Sequence, residues 1–329
     1  HAWRGSVFVV IALGAWAILP VLAAGFVYED IRWLRSAGWI AWRPRVLMSI
    51  SWWLQAHLSS SAWAFHLVNM GLHTMNAVCL GLLARALGLG AVGILTAAGW
   101  FALSPMSVEA VAYLSARTEL IATMGVLLAV ICALRGRFVL AGLAILLGIG
   151  GKETALVGLV LALVAVLTVG VGLARLWAGA LTMLATGGLL AMSVWVHSVG
   201  ESPGVRITVS EWVPLQATAT VRLLLSSAFF GFGQTVDFDY DLVPIVARWA
   251  AGVTLLALAA GVCVLWRRQR LLAFGFTWML VSAVPRLIVQ TPRSYYNEHQ
   301  WYVTLPGLAI AGGAVVEQWI ARRRMRCLA

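Results

Sequence analysis

Charge is scarce in this chain. Only 11% of its 329 residues are Asp, Glu, Lys or Arg, and 62% are hydrophobic. Soluble chains carry about 25% charged residues, so a water-soluble domain is excluded. Lysine is nearly missing, with Lys152 alone against 22 arginines. The net charge of +11 is scattered between apolar runs and forms no stripe on a polar domain, which argues against nucleic acid as partner. Cysteine is sparse: Cys79, Cys132 and Cys263 fall inside apolar runs and Cys327 in a basic tail, so no disulfide framework is implied. Period-two alternation is missing, which excludes a β-barrel. No linker, internal repeat or low-complexity tract divides the sequence. What remains is an all-α polytopic membrane protein, a single integral membrane domain over residues 1–329.

Apolar runs of about 20 residues, the length that crosses a hydrocarbon core of about 30 Å, recur along the chain. They predict spans over 7–26, 66–87, 91–104, 118–134, 138–151, 154–173, 177–197, 244–265, 271–289 and 302–320, about ten crossings. A further stretch, 215–234, is apolar except for Arg222 and reads as a half-inserted helix or an eleventh span. Threading the spans alternately puts Arg4, Arg85, Arg135, Arg137, Arg175, Arg267, Arg268, Arg270 and the arginines of 322–326 on one side. The positive-inside rule makes that side cytoplasmic, with both termini. Eleven of the twelve acids then fall on the other side, leaving Glu317 near the cytoplasm. The expected location is an integral membrane protein of the bacterial inner membrane, with any chemistry on the extracytoplasmic face. Two long outer loops result, 27–65 and 198–243. The first mixes Trp39, Trp42, Trp52, Trp53 and Trp63 with Arg32, Arg35, Arg43 and Arg45, a composition suited to amphipathic helices at headgroup level. The chain starts at His1 without Met, which reads as processed or trimmed. Ala23-Ala24-Gly25 resembles a signal-peptidase site, although the first run is long enough to remain a span.

Acids gathered at one face of a membrane body mark a pathway or an active site, because ionisable groups at membrane depth are costly. Glu29 and Asp30 stand at the mouth of the first span, placed either to deprotonate an incoming hydroxyl or simply to solvate a helix end. His66, Asn69 and His73, spaced i, i+3, i+7, share one helix face, with His73 about 10 Å deeper than His66. That stripe suits hydrogen bonding between helices, or less readily a metal, since the two histidines are far apart for one ion. Glu109, Arg117 and Glu119 cluster past the break at Pro105. Lys152 and Glu153 end the fifth span in the same layer, where they are expected either to pair with Glu109 or Arg117 or to meet substrate. Arg222, Arg248 and Arg286 need anionic company, either those acids or a phosphate, which a planar guanidinium fits well.

These stretches, in this order, resemble the GT-C superfamily of membrane glycosyltransferases, and most closely its transmembrane-and-tetratricopeptide-repeat O-mannosyltransferase family. Phe26-Val27-Tyr28-Glu29-Asp30-Ile31 resembles the aromatic-x-Tyr-Asp-Asp-x signature after the first span. Arg43-Pro44 with Leu47, Ser49 and Ile50 resembles an Arg-Pro-Leu segment, and the stretch from Phe65 through His66, Asn69, His73 and Asn76 to Ala77 is similar to the second-span motif. Ser104-Pro105 through Glu109-Ala110-Val111, followed by Arg117-Thr118-Glu119-Leu120, resembles the His-Pro-x-x-x-Glu-Ala-Val block and its continuation. Lys152-Glu153 matches a Lys-Glu pair, and Arg222-Leu223 with Asp237-Phe238-Asp239-Tyr240 is similar to a later segment. The chain differs at Glu29, where the family has Asp, at Ser104, where it has His, and over 297–306, where Glu298, His299 and Tyr302 stand in a Glu-Arg-Tyr-Leu-Tyr-Leu-Pro pattern. It also carries no tetratricopeptide repeats.

The resemblance implies a GT-C-like bundle of about 10–11 helices that transfers a sugar, expected to be mannose, from a polyprenyl phosphate to a hydroxyl, such as a protein Ser or Thr or a glycan, with inversion. Glu29 or Asp30 would be the base. Lys152 and Arg222, then Arg117 and Arg293, would offset charge on the departing phosphate. His66, Asn69, His73, Glu109, Glu119, Glu153, Asp237, Glu298, His299 and Tyr302 would support the site. No cofactor is implied, and a divalent metal is not required. Two other readings stay open at this point. One is a non-catalytic subunit that keeps the scaffold and binds partner membrane chains. The other is a lipid-linked glycan transporter, disfavoured because the cytoplasmic halves of the spans carry no polar path.

Overall fold

The computed structural model describes residues 9, 10, 12, 14–27, 29–36, 45–170, 172–188, 208–222, 244–288 and 298–328. Among them the chain is all-helical. In chain order the helices are α1 (Gly14–Ala23), α2 (Glu29–Ser36), α3 (Val46–Leu58), α4 (Ala62–Ala86), α5 (Ala91–Leu103), α6 (Met106–Ala112), α7 (Arg117–Leu134), α8 (Phe138–Gly151), α9 (Val157–Thr168), α10 (Leu173–Met183), α11 (Val209–Arg222), α12 (Ile245–Arg268), α13 (Arg270–Ile288) and α14 (Leu305–Leu328). Short 3-10 turns, Leu114–Ala116, Glu153–Leu156 and Glu298–Thr304, lead into α7, α9 and α14.

Among the described residues, four helical stretches are long and apolar enough to cross a membrane: Ala62–Ala86, Leu114–Leu134, Ile245–Arg268 and His299–Arg323. A fifth arises if α5 and α6, bent by 54° at Ser104-Pro105, count as one broken span. The bend has a local cause, because a residue before proline is driven out of the helical region and Ser104 is extended (φ −60°, ψ 126°). The expected spans over 138–151 and 154–173 are present as shorter apolar helices. At 1.5 Å per residue α8 reaches only about 21 Å. The expected first span is described without a break only from Gly14 on, where it is helical over Gly14–Ala23, and that over 177–197 only as far as Gly188. Of the stretch 215–234, only its start is described, as the end of α11.

The core is built around α7, which packs on α4, α8 and α9, and around α14, which packs on α5 and α13. In lipid, close backbone approach is the main source of helix affinity. A Cβ on Gly125 of α7 would strike the backbone of Gly148 on α8, and one on Gly275 of α13 would lie 2.5 Å from the carbonyl oxygen of Gly307 on α14. Peripheral α12 is the opposite case. Only Ala251 is buried, while Val246, Trp249, Val253 and Leu256 are exposed, as expected of a face presented to lipid. The first long loop forms helices α2 and α3 as its composition predicts. α3 buries Met48 and Trp52 and exposes Ile50, Leu54 and Leu58, which repeat every four residues along the other side.

Candidate functional site

Asp30 is the second residue of α2, and its carboxylate turns back on the turn before the helix. Oδ2 accepts the N–H of Val27 (3.2 Å), while Oδ1 accepts both the N–H (2.8 Å) and the hydroxyl (2.6 Å) of Ser115. The carboxylate is fully buried, and it fastens the first loop to the Leu114–Ala116 turn. Glu29 opens α2; its side chain lies outside the described residues.

Two residues beyond Ser115, Arg117 is also fully buried. Its Nε donates to Asn69 Oδ1 (2.8 Å), Nη2 to the carbonyl of Phe65 (3.1 Å) and Nη1 to the hydroxyl of Ser51 (3.2 Å). The guanidinium also lies 5.6 Å from the ring centroids of both Trp52 and Phe65, a cation–π arrangement. Its bonded acceptors are neutral, and Asp30 lies close enough to act on it electrostatically. Arg117 thereby ties α3, α4 and α7 together and leaves no face open to a ligand.

The remaining charges pair across elements. Lys152 Nζ donates to Glu119 Oε1 in a very short contact, with the Glu119 side chain fully buried. Arg45 Nη2 lies 3.6 Å from Glu153 Oε1. Burial opposes ionisation of Glu153, but the positive charges of Arg45 and Lys152 outweigh it and hold the carboxyl below its ordinary value. Glu109 receives the backbone N–H of His299 at Oε2 (2.8 Å) and its ring Nδ1–H at Oε1 (2.9 Å). These pairings correct the expected ones: Lys152 and Glu153 meet neither Glu109 nor Arg117. The sequence fails to show the pairs because each joins segments that only the packing of the helices brings together.

The polar stripe of α4 resolves as bonding between helices. His66 Nε2 donates to the carbonyl of Ala24 (3.2 Å) and Asn69 Nδ2 to that of Val111 (3.2 Å). Deeper down, His73 Nε2 lies 3.2 Å from the carbonyl of Ala102, which can only accept. Nδ1 is therefore the acceptor for the Tyr302 hydroxyl at 2.8 Å. Asn76 Nδ2 donates to Tyr302 (3.3 Å) and to the carbonyl of Leu120 (3.0 Å). Tyr302 and His299 thus seat the Glu298–Thr304 turn on α4 and α6.

Of the residues predicted from sequence, Asp30, His66, Asn69, His73, Glu109, Arg117, Glu119, Lys152, Glu153, His299 and Tyr302 fall into several separate bonded groups, each joining two or more segments of the bundle. Arg222 ends α11 and is half-buried. Arg293 and Asp237 lie outside the described residues, as does the side chain of Glu298. Sequence reasoning missed Ser115, Ser51 and Asn76 as participants. Asn76 extends the same α4 face as Asn69 and His73 (i, i+4, i+7), a signal that was available. The serines offered none, since they act through contacts across the fold. Compared against protein-family models, curated proteins and solved structures, the chain matches none.

Proposed function

We propose that the protein is a membrane glycosyltransferase of the GT-C kind, a bundle of about 10–11 helices with both termini cytoplasmic in a bacterial inner membrane. It would transfer a sugar, expected to be mannose, from a polyprenyl phosphate to a hydroxyl of a protein Ser or Thr, or of a glycan, on the extracytoplasmic face. One observation carries the reading. The stretches that resemble the family's motifs, around Asp30, His66–Asn69, Glu109–Glu119, Lys152–Glu153 and His299–Tyr302, bond to one another at one end of the bundle. The motif order in the sequence is thus also an arrangement in space.

Chemically, the Glu29-Asp30 pair supplies the base, and the division of labour within it follows from geometry. Asp30 already holds three donors, so it fixes the start of α2. Taking a proton from the acceptor hydroxyl then falls to Glu29. Lys152, whose neighbour Glu153 pairs with Arg45, is only partly buried, its side chain 12% exposed. Together with Arg222 and Arg293 it would offset the charge on the departing phosphate. Arg117 serves by positioning.

A second reading, a non-catalytic subunit that keeps the scaffold, is favoured by the sealed state of Asp30 and by the neutralisation of Lys152 by Glu119. The two readings separate when purified protein is incubated with radiolabelled polyprenyl-phosphate mannose and Ser/Thr-rich peptides. The enzyme reading expects label transfer that falls by about 100-fold or more in Glu29→Gln, in keeping with loss of a general base. Folded wild type that transfers no sugar from any polyprenyl-phosphate donor establishes the subunit reading. Transfer unaffected by Glu29→Gln and by Asp30→Asn removes the base assignment.

A further inference from the structure

The end of the bundle opposite the polar layer carries the reverse charge, and its arginines are arranged in an unusual way. Between Glu119 and Glu153, and again between Glu153 and Glu201, the sequence holds no acid. Within that acid-free region Arg135 and Arg137 flank Gly136, whose φ of +73° makes the turn from α7 to α8. The guanidinium of Arg175, from α10, lies directly over this turn, so close that a Cβ on Gly136 would strike Nη2. Three exposed arginines thus share this turn, two flanking the glycine in sequence and the third with its guanidinium over it. No hydrogen bond or ion pair with a described residue is formed by any of the three side chains.

Two of the three also sit where a helix already supplies positive potential. Arg137 is the N-cap of α8, which has no side-chain cap, and Arg175 lies in the first turn of α10. Cations are disfavoured at helix N-termini, which attract anions. The same end of the molecule shows the ordinary solution elsewhere: at the start of α5, both carboxylate oxygens of Glu317 accept the N–H of Gly90, at 2.9 and 3.0 Å. An acid meets that helix start, whereas the start of α8 has Arg137 at its N-cap and Arg175 over the turn before it. Such a cluster is self-repelling unless an anion completes it.

The surface leading away from the cluster is apolar. Leu173, Trp177 and Leu181 of α10 are 70%, 63% and 65% exposed, and their spacing of four aligns them along one side of the helix. On neighbouring α8, Val139, Leu140 and Leu143 are exposed as well. A phosphate at the arginines joined to acyl chains along α10 and α8 satisfies both features together.

We infer that Arg135, Arg137 and Arg175 form a binding site for the phosphate headgroup of an anionic phospholipid, whose chains lie on the Leu173–Trp177–Leu181 side of α10. The site is separate from the polar layer at the other end and does not depend on the glycosyltransferase reading. It would make the seating of α10 on α8 sensitive to the lipid of the adjoining leaflet.

Delipidated full-length protein titrated with phosphatidylglycerol, followed by native mass spectrometry, tests this. Saturable binding is expected, with phosphatidylcholine failing to compete. Arg137→Gln with Arg175→Gln should weaken it by about thirtyfold, the factor equivalent to about 2 kcal/mol at about 1 kcal/mol per arginine. Both side chains are exposed, so the variant keeps its fold, which size exclusion checks. Arg322→Gln with Arg323→Gln removes the same charge from exposed positions on α14 and should leave affinity within about threefold, well inside one factor of ten. Trp177→Ser should weaken binding of the lipid and leave that of inorganic phosphate unchanged. Equal losses from the two double variants would reduce the effect to general charge and overturn the site. So would undiminished binding in Arg137→Gln/Arg175→Gln, and inorganic phosphate that binds as tightly as the lipid would overturn the lipid assignment.

Discussion

Asp30 and Glu119 are both fully buried carboxylates, yet they are satisfied in different ways, and their variants should respond differently. Asp30 is held by three hydrogen bonds from Val27 and Ser115. Asp30→Ala strands those donors, and hydrogen bonds to a charged group contribute about 1.5–3 kcal/mol. A loss of about 3 kcal/mol is therefore expected in a denaturant titration of the detergent-solubilised protein. Unchanged stability would mean that the carboxylate does not anchor the loop. Glu119 depends instead on a single cation. Lys152→Ala should cost about 3–5 kcal/mol by leaving its charge buried and alone, whereas the pair Lys152→Met, Glu119→Leu should recover most of that loss. A double variant no more stable than Lys152→Ala would show that the pair is not a closed unit.

Glu153 adds a dependence on pH. Its folded carboxyl titrates below the ordinary 4.5 because Arg45 and Lys152 outweigh the cost of burial. In the unfolded chain it titrates near that value. Its contribution is therefore fully present above about pH 4.5 and is lost as the pH falls through the folded value. Melting temperatures measured from pH 7 down to pH 3 should converge for wild type and Glu153→Gln at the acid end. A constant gap across the range would exclude this titration.

At the scale of elements, two contacts do most to decide where the polar layer sits. The first is the approach of α7 to α8 through Gly125 and Gly148, which brings Glu119 to Lys152. Gly148→Leu would have to push the helices apart, because overpacking of a tight contact costs about 1–3 kcal/mol. It is expected to lower the melting temperature while leaving helix content by circular dichroism unchanged. The second is the Glu298–Thr304 turn, fixed by His299 on Glu109 and by Tyr302 on His73 and Asn76. Tyr302→Phe removes the hydroxyl that His73 Nδ1 and Asn76 use, leaving buried partners unsatisfied at about 1–3 kcal/mol. Hydrogen exchange should then quicken in 298–304 first. Exchange that quickens evenly throughout the protein would show that the turn is not a separate unit.

These contacts also mark how far the elements were legible in the sequence. Apolar length placed α4, α7, α12 and α14, and tryptophan among arginine placed α2 and α3, because both signals depend only on how a local stretch partitions between water and lipid. The breaks at Pro105 and at Lys152 were legible for the same local reason. The partners were not. Nothing local distinguishes Glu119 from Glu109 as the mate of Lys152, and nothing marks Ser115 as the residue that Asp30 will find. Such choices are made by the crossing of α7 with α4 and α8, set by glycines whose role shows only when two helices touch.

Across the whole molecule, the partition of charge was the most legible feature and links most of the rest. Among the described residues the acids other than Glu317 gather with their partners at one end, while acid-free arginine turns gather at the other. The intervening body is apolar enough that its helices associate through close backbone contact. On this account the acid-rich end is a site where a lipid-borne sugar meets a hydroxyl, and the arginine-rich end holds the protein to the phosphates of its leaflet. The acid-rich end is the stronger commitment, because the family resemblance and the spatial convergence of Asp30, Arg117, Glu119 and Lys152 bear on it independently. It is tested most directly by following label from polyprenyl-phosphate mannose in proteoliposomes containing the wild-type protein and an acceptor peptide. The account predicts mannosyl peptide and free polyprenyl phosphate in equal amounts. Intact donor after prolonged incubation with folded protein, across the full set of polyprenyl-phosphate sugars and acceptors, would contradict it.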